Sequence, residues 1–354
     1  MITYGSDKKS ALEAKYDAQK IAFAPIMFQA AKSLRDLGIL EVIKKNRKGL
    51  TIEEVSKQTN VPLYGVKVLL EAGLSLELVR VEDDIYHITK TGWYIQSDEL
   101  TKVNMDFTQD VNYLGIFSLT ESIKTGKPTG LKVFGEWDTV YEGLSQLPAD
   151  VQKSWFGFDH FYSDYAFPEI LPIVFKNNPK KVMDVGGNTG KFAIKCAEYN
   201  KDVTVTILDL PGQLAKANAN IKERGFEGRI SGTPLNLLDH SNPFPKEHNV
   251  IWMSQFLDCF SQEDVLQLLI RAKNAMDKDA SLFILETYWD LQRFEASTYS
   301  LHATSLYFTN IANGCSQMYH STDMLKLIEK AGLVVDESFE NIGVSHTLFK
   351  CKIK

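Results

Sequence analysis

The residues best suited to hold a reactive ligand lie in Lys181–Gly190, KVMDVGGNTG. A short apolar strand carrying Asp184 runs into Gly186, Gly187, Asn188, Thr189 and Gly190, and a helical run, Lys191–Tyr199, follows. A strand, a glycine-rich turn and a helix start bring backbone N–H groups close to a ligand. Glycine permits that approach and supplies positive φ, and Asn188 is of the non-glycine type that best tolerates it. A dinucleotide site requires G-x-G-x-x-G, but counting from Gly186 the required positions hold Asn188 and Lys191. A phosphate loop requires G-x-x-x-x-G-K-[ST], and here the register fails and Phe192 replaces the hydroxyl residue. What remains is D-x-G-x-x-x-G, followed by a second apolar strand, Val203–Leu208, that ends in Asp209. An acid there is placed to accept hydrogen bonds from ribose hydroxyls. No phosphate-binding residue accompanies it. The combination predicts an adenosine ligand without a pyrophosphate, S-adenosylmethionine.

The elements that must position this turn alternate in type. Strands are expected at Lys181–Val185, Val203–Asp209, Arg229–Gly232, Val250–Ser254 and Leu282–Leu285, with helices at Pro211–Arg224, Gln262–Met276, Leu301–Ile311 and Thr322–Ala331. Leu333–Phe339 and Thr347–Ile353 close the sheet as a hairpin pair. Such alternation predicts an α/β fold: a doubly wound, mainly parallel Rossmann-like sheet with ligands at the carboxyl ends of its strands.

Ahead of it, Tyr16–Leu37 has helical spacing, with Pro25 expected to kink or break it. Its apolar residues, including Ile21, Phe23, Ile26 and Leu34, fall on several sides, so a second subunit is a plausible partner. Thr51 and Glu54 form a capping box, a second helix runs from Pro62, and Leu78–Val81 with Ile85–Ile88 reads as a wing. This winged-helix pattern often binds DNA, but its second helix offers only Lys67, and the wing tip is Glu82-Asp83-Asp84. Dimerisation and a lid over the substrate fit better. Between the two parts, Leu114–Ile123 and Val140–Leu147 have helical spacing. The aromatic run Trp155–Phe167, with Phe158, Phe161, Tyr162 and Tyr165, suits a plain core or a pocket wall equally. Pro168, Pro172 and Pro179 are expected to break up the approach to the first sheet strand. The expected division is 1–100 for the winged dimerisation domain, 101–170 for connecting helices and pocket, and 171–354 for the cofactor domain.

At 354 residues, two domains are expected on size alone. A net charge of -6 argues against a general nucleic-acid binder. Cys196, Cys259, Cys315 and Cys351 form no C-x-x-C pair and read as reduced thiols, neither a disulfide framework nor a metal site. The start, MITYGSDKKS, lacks the apolar core of a signal peptide. The apolar stretch Ile21–Ala31 is too short to span a bilayer. The expected location is the cytoplasm, with no membrane and no metal.

On Val182–Gly190, Ile207-Leu208-Asp209-Leu210-Pro211, Phe256–Glu263 with the helix after it, and Glu286 at a strand end, the chain resembles the small-molecule O-methyltransferases of the caffeic-acid and hydroxyindole type. The likeness covers nearly the whole chain. It implies a homodimer that methylates a small, usually aromatic acceptor from S-adenosylmethionine, leaving S-adenosylhomocysteine. Carried over residue by residue, the glycine loop is Asp184, Gly186, Gly187 and Gly190. The ribose acid is Asp209, with Leu210 against the adenine. Asn236, in Leu235-Asn236-Leu237, replaces the family's adenine-edge acid, and Leu237 follows it. Ser254, ending its strand, joins the cofactor-binding candidates. The family's catalytic histidine falls on Asp258, in Leu257-Asp258-Cys259-Phe260. One flanking acid is matched by Glu286, and the other falls near Met318–Tyr319, which offers no carboxylate.

Methyl transfer from a sulfonium demands alignment and exclusion of water. A base matters only where the acceptor must lose a proton, and an ordinary aspartate near pKa 4 is a weak one. Burial, or the charge of Glu286, would raise Asp258. Three accounts follow. Asp258 is a base with a raised pKa; or it only orients the acceptor while His160, His302 or His320 takes the proton; or the acceptor is an activated ring carbon and the product is C-methylated. The candidate acceptor pocket is Phe158, His160, Phe161, Tyr162 and His302. The competing readings are a degenerate, cofactor-binding regulator, a ligand-sensing transcription factor and a nicotinamide oxidoreductase; the missing third glycine disfavours the last.

Overall fold

The computed structural model describes residues 7–354, so the first six residues of the polar start lie outside the described residues. The chain forms two compact units, divided between Thr108 and Gln109.

The smaller unit is mainly helical. α1 (Ala11–Asp36) begins at a Ser10–Glu13 capping box. Pro25 lies inside α1 and does not end it. Its missing N–H costs one ladder bond, and the turns on either side keep theirs. α2 (Ile39–Lys45), α3 (Ile52–Thr59) and α4 (Leu63–Ser75) follow, and α3 starts at the expected Thr51–Glu54 box. β1 (Val79–Glu82) and β2 (Ile85–Ile88) pair as a hairpin whose two-residue tip, Asp83-Asp84, has both φ angles positive. α5 (Lys90–Ser97) and α6 (Glu99–Phe107) complete the unit. Leu34, Leu40, Ile43, Val55, Val66 and Leu70 are fully buried in its core. Ile21, Phe23 and Ile26 of α1 stay 77%, 54% and 66% exposed.

The larger unit opens with irregular helical pieces. Leu114–Ile123 splits into a 3₁₀ turn, Gly115–Ser118, and α7 (Leu119–Thr125). Gly115 lies against Gly130, where a Cβ would sit 2.7 Å from the Gly130 carbonyl. The helix expected at Val140–Leu147 is only α8 (Val140–Gly143), because the chain turns at Gly143. α9 (Ala149–Asp164) and α10 (Phe167–Val174) carry the aromatic run. Pro168 lies in the first turn of α10 and Pro172 inside it, so neither breaks the approach as expected.

The sheet follows: β3 (Lys181–Val185), α11 (Lys191–Tyr199), β4 (Thr204–Asp209), α12 (Pro211–Glu223), β5 (Ile230–Pro234), β6 (Val250–Ser254), α13 (Gln262–Ala275) and β7 (Ser281–Glu286). α14 (Glu295–Tyr307) starts earlier than expected and passes into a π-helix at Phe308–Ala312. α15 (Ser321–Lys330), β8 (Leu333–Ile342) and β9 (His346–Ile353) end the chain. The order β5-β4-β3-β6-β7-β9-β8 is parallel through β7, with β9 and β8 antiparallel. Every residue of β7 is buried, as a central strand covered on both faces requires. One face packs on α13 and α15 through Leu268, Leu269, Met324 and Ile328. The other packs on α10, α11 and α12 through Ile170, Ala193 and Leu214. The strand order reverses between β3 and β6, and the carboxyl ends there form a crevice.

Candidate active site

The turn after β3 has the backbone that its sequence anticipates. Gly186, Asn188 and Gly190 have φ of 73°, 50° and 78°. The Gly186 N–H bonds the Leu208 carbonyl at 2.8 Å, and Gly190 caps α11. A Cβ on Gly187 would meet Asp184 Oδ2 at 2.6 Å, and one on Gly186 would collide with the Phe256 ring. These glycines border an open crevice, lined among others by Asp159, His160, Asp184, Asn188, Ser254 and Gln255. Asp184 Oδ2, Asn188 Oδ1 and His160 Nε2 are buried there without a hydrogen-bond partner. Burial, with the charge of Asp209 second, pushes the Asp184 carboxyl up to about 8. Unspent acceptors beside a glycine cradle fit a ligand that brings hydroxyl or ammonium donors.

Asp209 ends β4, and its carboxylate is engaged by the turn. Oδ2 accepts the Asn188 N–H at 2.8 Å and Oδ1 accepts the Leu210 N–H at 2.7 Å. Each oxygen keeps a second lone pair for a ligand. Asn236 lies next to this strand end, where the Leu235 N–H bonds the Asp209 carbonyl, and its side chain accepts the Leu238 N–H at 3.0 Å. Leu237 is buried, and its carbonyl accepts from Arg271 at 2.6 Å.

Of the aromatic run, Asp159, His160, Ser163 and Phe167 line the crevice. Phe158, Phe161 and Tyr162 are half-buried on α9 and pack against one another in tilted and edge-to-face contacts, with ring centres 5.1 Å apart for Phe158–Tyr162. Desolvation lowers the His160 imidazole and raises the neighbouring Asp159 carboxyl. His302 is exposed and packs on Trp289 at 4.9 Å. His320 caps α15, its Nδ1 accepting the Thr322 N–H. His160 is thus the one of the three histidines that faces the crevice.

Asp258 sits in a single 3₁₀ turn, Leu257–Cys259, held from distant positions. Glu286 Oε1 accepts the Phe256 N–H at 3.0 Å and the Leu257 N–H at 2.8 Å. Asn313 Nδ2 donates to the Cys259 carbonyl at 2.6 Å, and the Tyr319 hydroxyl donates to the Phe260 carbonyl at 2.5 Å. Tyr319, in the stretch that corresponds to the family's second flanking acid, serves the turn as a donor. Asp258 is 6% exposed. Burial first, and the charge of Asp159 after it, push its carboxyl up to about 7, while the Cys259 thiol pulls the other way. Glu286, 2% exposed, is raised far above the usual carboxyl range by burial and then by Asp258. Sequence reasoning missed Asp159, Gln255, Asn313 and the role of Tyr319. Only Asp159 carried a signal, as an acid inside the aromatic run.

Residues 15–86 match the Dimerisation2-like domain and residues 172–334 match the O-methyltransferase domain. The relatives include two Streptomyces methyltransferases. The L-tyrosine C(3)-methyltransferase of Streptomyces lavendulae is 23% identical over 271 residues, covering 75% of this chain and 73% of that one. The 3-hydroxy-5-methyl-1-naphthoate 3-O-methyltransferase of Streptomyces sahachiroi is 22% identical over 240 residues, 67% of each chain. The fold matches the crystal structure of the S-adenosylmethionine-dependent methyltransferase SibL with a TM-score of 0.72 at 22% identity, over 94% of this chain and 98% of that one. The chain belongs to the S-adenosylmethionine-dependent methyltransferases that carry an O-methyltransferase domain.

Proposed function

We propose that the enzyme methylates a hydroxyl on a small aromatic or polyketide-like acceptor, with Asp258 as the base. When bound, S-adenosylmethionine supplies the methyl group as a sulfonium substituent. The turn at Gly186, Gly187 and Gly190 with Asp184 receives it, Asp209 meets the ribose, and Leu210, Asn236, Leu237 and Ser254 border it. Asp258 Oδ takes the proton from the acceptor hydroxyl, Glu286 holds the turn that presents Asp258, and His160 with the Phe167 ring bounds the acceptor.

The observation that carries the reading is the buried Asp258 carboxyl at about 7. A carboxylate raised in this way has a basicity that suits a phenol better than an ordinary aspartate's. The test uses methyl-labelled cofactor and a panel of phenols, with NMR to locate the label. A methoxy signal is expected. A ring-methyl signal from the same panel would replace the reading with C-methylation, which the tyrosine C(3)-methyltransferase relative favours.

We also propose a homodimer formed through the smaller unit. The matched Dimerisation2-like domain and the exposed Ile21, Phe23 and Ile26 of α1 support it. Light scattering of the Ile21→Glu/Ile26→Glu variant is expected to show half the mass of the wild type; equal mass would refute this interface. The acidic hairpin tip, Glu82-Asp83-Asp84, speaks against nucleic acid as a partner. Among the described residues no helix is long and apolar enough to cross a membrane. The four free cysteines suit a reducing compartment, the cytoplasm.

A further inference from the structure

His346, the first residue of β9, has no part in the reading above, yet its side chain is connected to the crevice. It is fully buried, and its Nε2 lies 2.7 Å from Gln255 Oε1. Burial holds the imidazole neutral, down to about 4. Gln255 Nε2 donates to the Asp159 carbonyl oxygen at 3.4 Å. With Gln255 Oε1 facing it, a proton on His346 Nε2 donates to Gln255. Asp159 Oδ2 in turn accepts from Asn188 Nδ2 at 3.3 Å, and the Asn188 N–H bonds Asp209. The connection therefore runs from β9 through Gln255 and α9 to the glycine turn.

Gln255 is the junction. It follows β6 with φ of 46°, a left-handed conformation that a glutamine adopts only where its surroundings impose it. Its N–H is tied to the Leu285 carbonyl at 2.9 Å. The residues directly after it are Phe256 and Leu257, whose N–H groups Glu286 holds. One strained residue thus turns the chain from the crevice wall into the Asp258 turn, and His346 is the side chain that orients its amide.

We propose that His346 is a positioning residue: through Gln255 it sets Asp159 and Asn188 at the crevice wall and so determines how tightly the cofactor is held. The proposal rests on the reading of this crevice as the cofactor site. A purely structural histidine would affect stability alone. A positioning one affects affinity, and does so only through Gln255.

The experiment is titration calorimetry of S-adenosylhomocysteine into the full chain. His346→Ala and Gln255→Ala should each weaken binding roughly fivefold to tenfold, the worth of one positioning hydrogen bond. The double variant should bind no more weakly than the weaker single, because both remove the same connection. His346→Gln, which keeps an amide N–H near the place of Nε2, should recover most of the affinity. Single variants that bind like the wild type, or losses that multiply in the double variant, would overturn the proposal. Gln255 is only half-buried, so Gln255→Ala carries the test if His346→Ala does not fold. Failure of the wild type itself to bind would overturn the reading of the crevice, and is distinct from unchanged affinity in the variants.

Discussion

Residues 184–190 and residues 256–260 both belong to the larger unit and hold their shape by different means. The first stretch is shaped by its own backbone. Gly186, Asn188 and Gly190 take left-handed φ, and Gly187 leaves room for Asp184. The second is shaped by side chains from elsewhere: Glu286 on β7, Asn313 after the π-helix and Tyr319 before α15. Their acids differ accordingly. Asp184 is raised chiefly by burial in a crevice, with Asp209 second. Asp258 is raised by burial and then by Asp159, and Glu286 by burial and then by Asp258, within one desolvated group. A ligand cradle can be built locally, whereas an unusual acid requires the fold around it.

The comparison breaks most visibly at Asp258. Asp258→Ala is expected to lower kcat by about 10²-fold or more while leaving the calorimetric affinity for S-adenosylhomocysteine unchanged. Normal turnover would remove Asp258 from the mechanism. In the wild type the carboxylate must be ionised to accept a proton, so kcat should fall as pH drops through about 7. A flat profile from pH 5.5 to 8.5 would deny Asp258 the role of base.

Gly187→Ala tests the other stretch, because its Cβ would press on Asp184 Oδ2. An affinity loss for S-adenosylhomocysteine of about tenfold is expected, the equivalent of roughly 1.4 kcal/mol. Gly212→Ala, with nothing within 4 Å of its Cβ, is the control and should bind as the wild type does. Equal affinities in both variants would dismiss the cradle.

The smallest effect concerns stability. An unfolded carboxyl titrates near 4, and folded Asp258 near 7. The folded state therefore holds the extra proton between those values, and its stability falls as pH rises across them. Asp258→Asn removes that loss. It should raise the melting temperature at pH 8 by about 3 °C and leave it unchanged near pH 4. A lower melting temperature at pH 8 would mean that the ionised carboxylate is well supported in the fold.

What could be read from the chain follows the same division. The alternation of elements, the bounds of β3 and β6, the Thr51–Glu54 cap and the left-handed Asn188 were legible, because each depends on neighbours a few residues apart. Pro25 was expected to kink or break its helix and does not end it, and Pro168 and Pro172, expected to break up the approach to β3, lie within α10. Asp258 and Glu286 stood out only through resemblance to a family, and nothing local signalled Asn313, Tyr319, Gln255 or His346.

By itself, the order of residues determined a parallel sheet with a glycine turn at its switch point, because strand period, helix period and positive φ are short-range properties. Only the tertiary structure decided that Asp258 lies in a desolvated group with Glu286 and Asp159, and that His346 reaches Gln255 across 91 positions of chain. Electrostatic shifts and long hydrogen-bonded connections depend on distance in space and on the removal of water, and neither is written in sequence spacing.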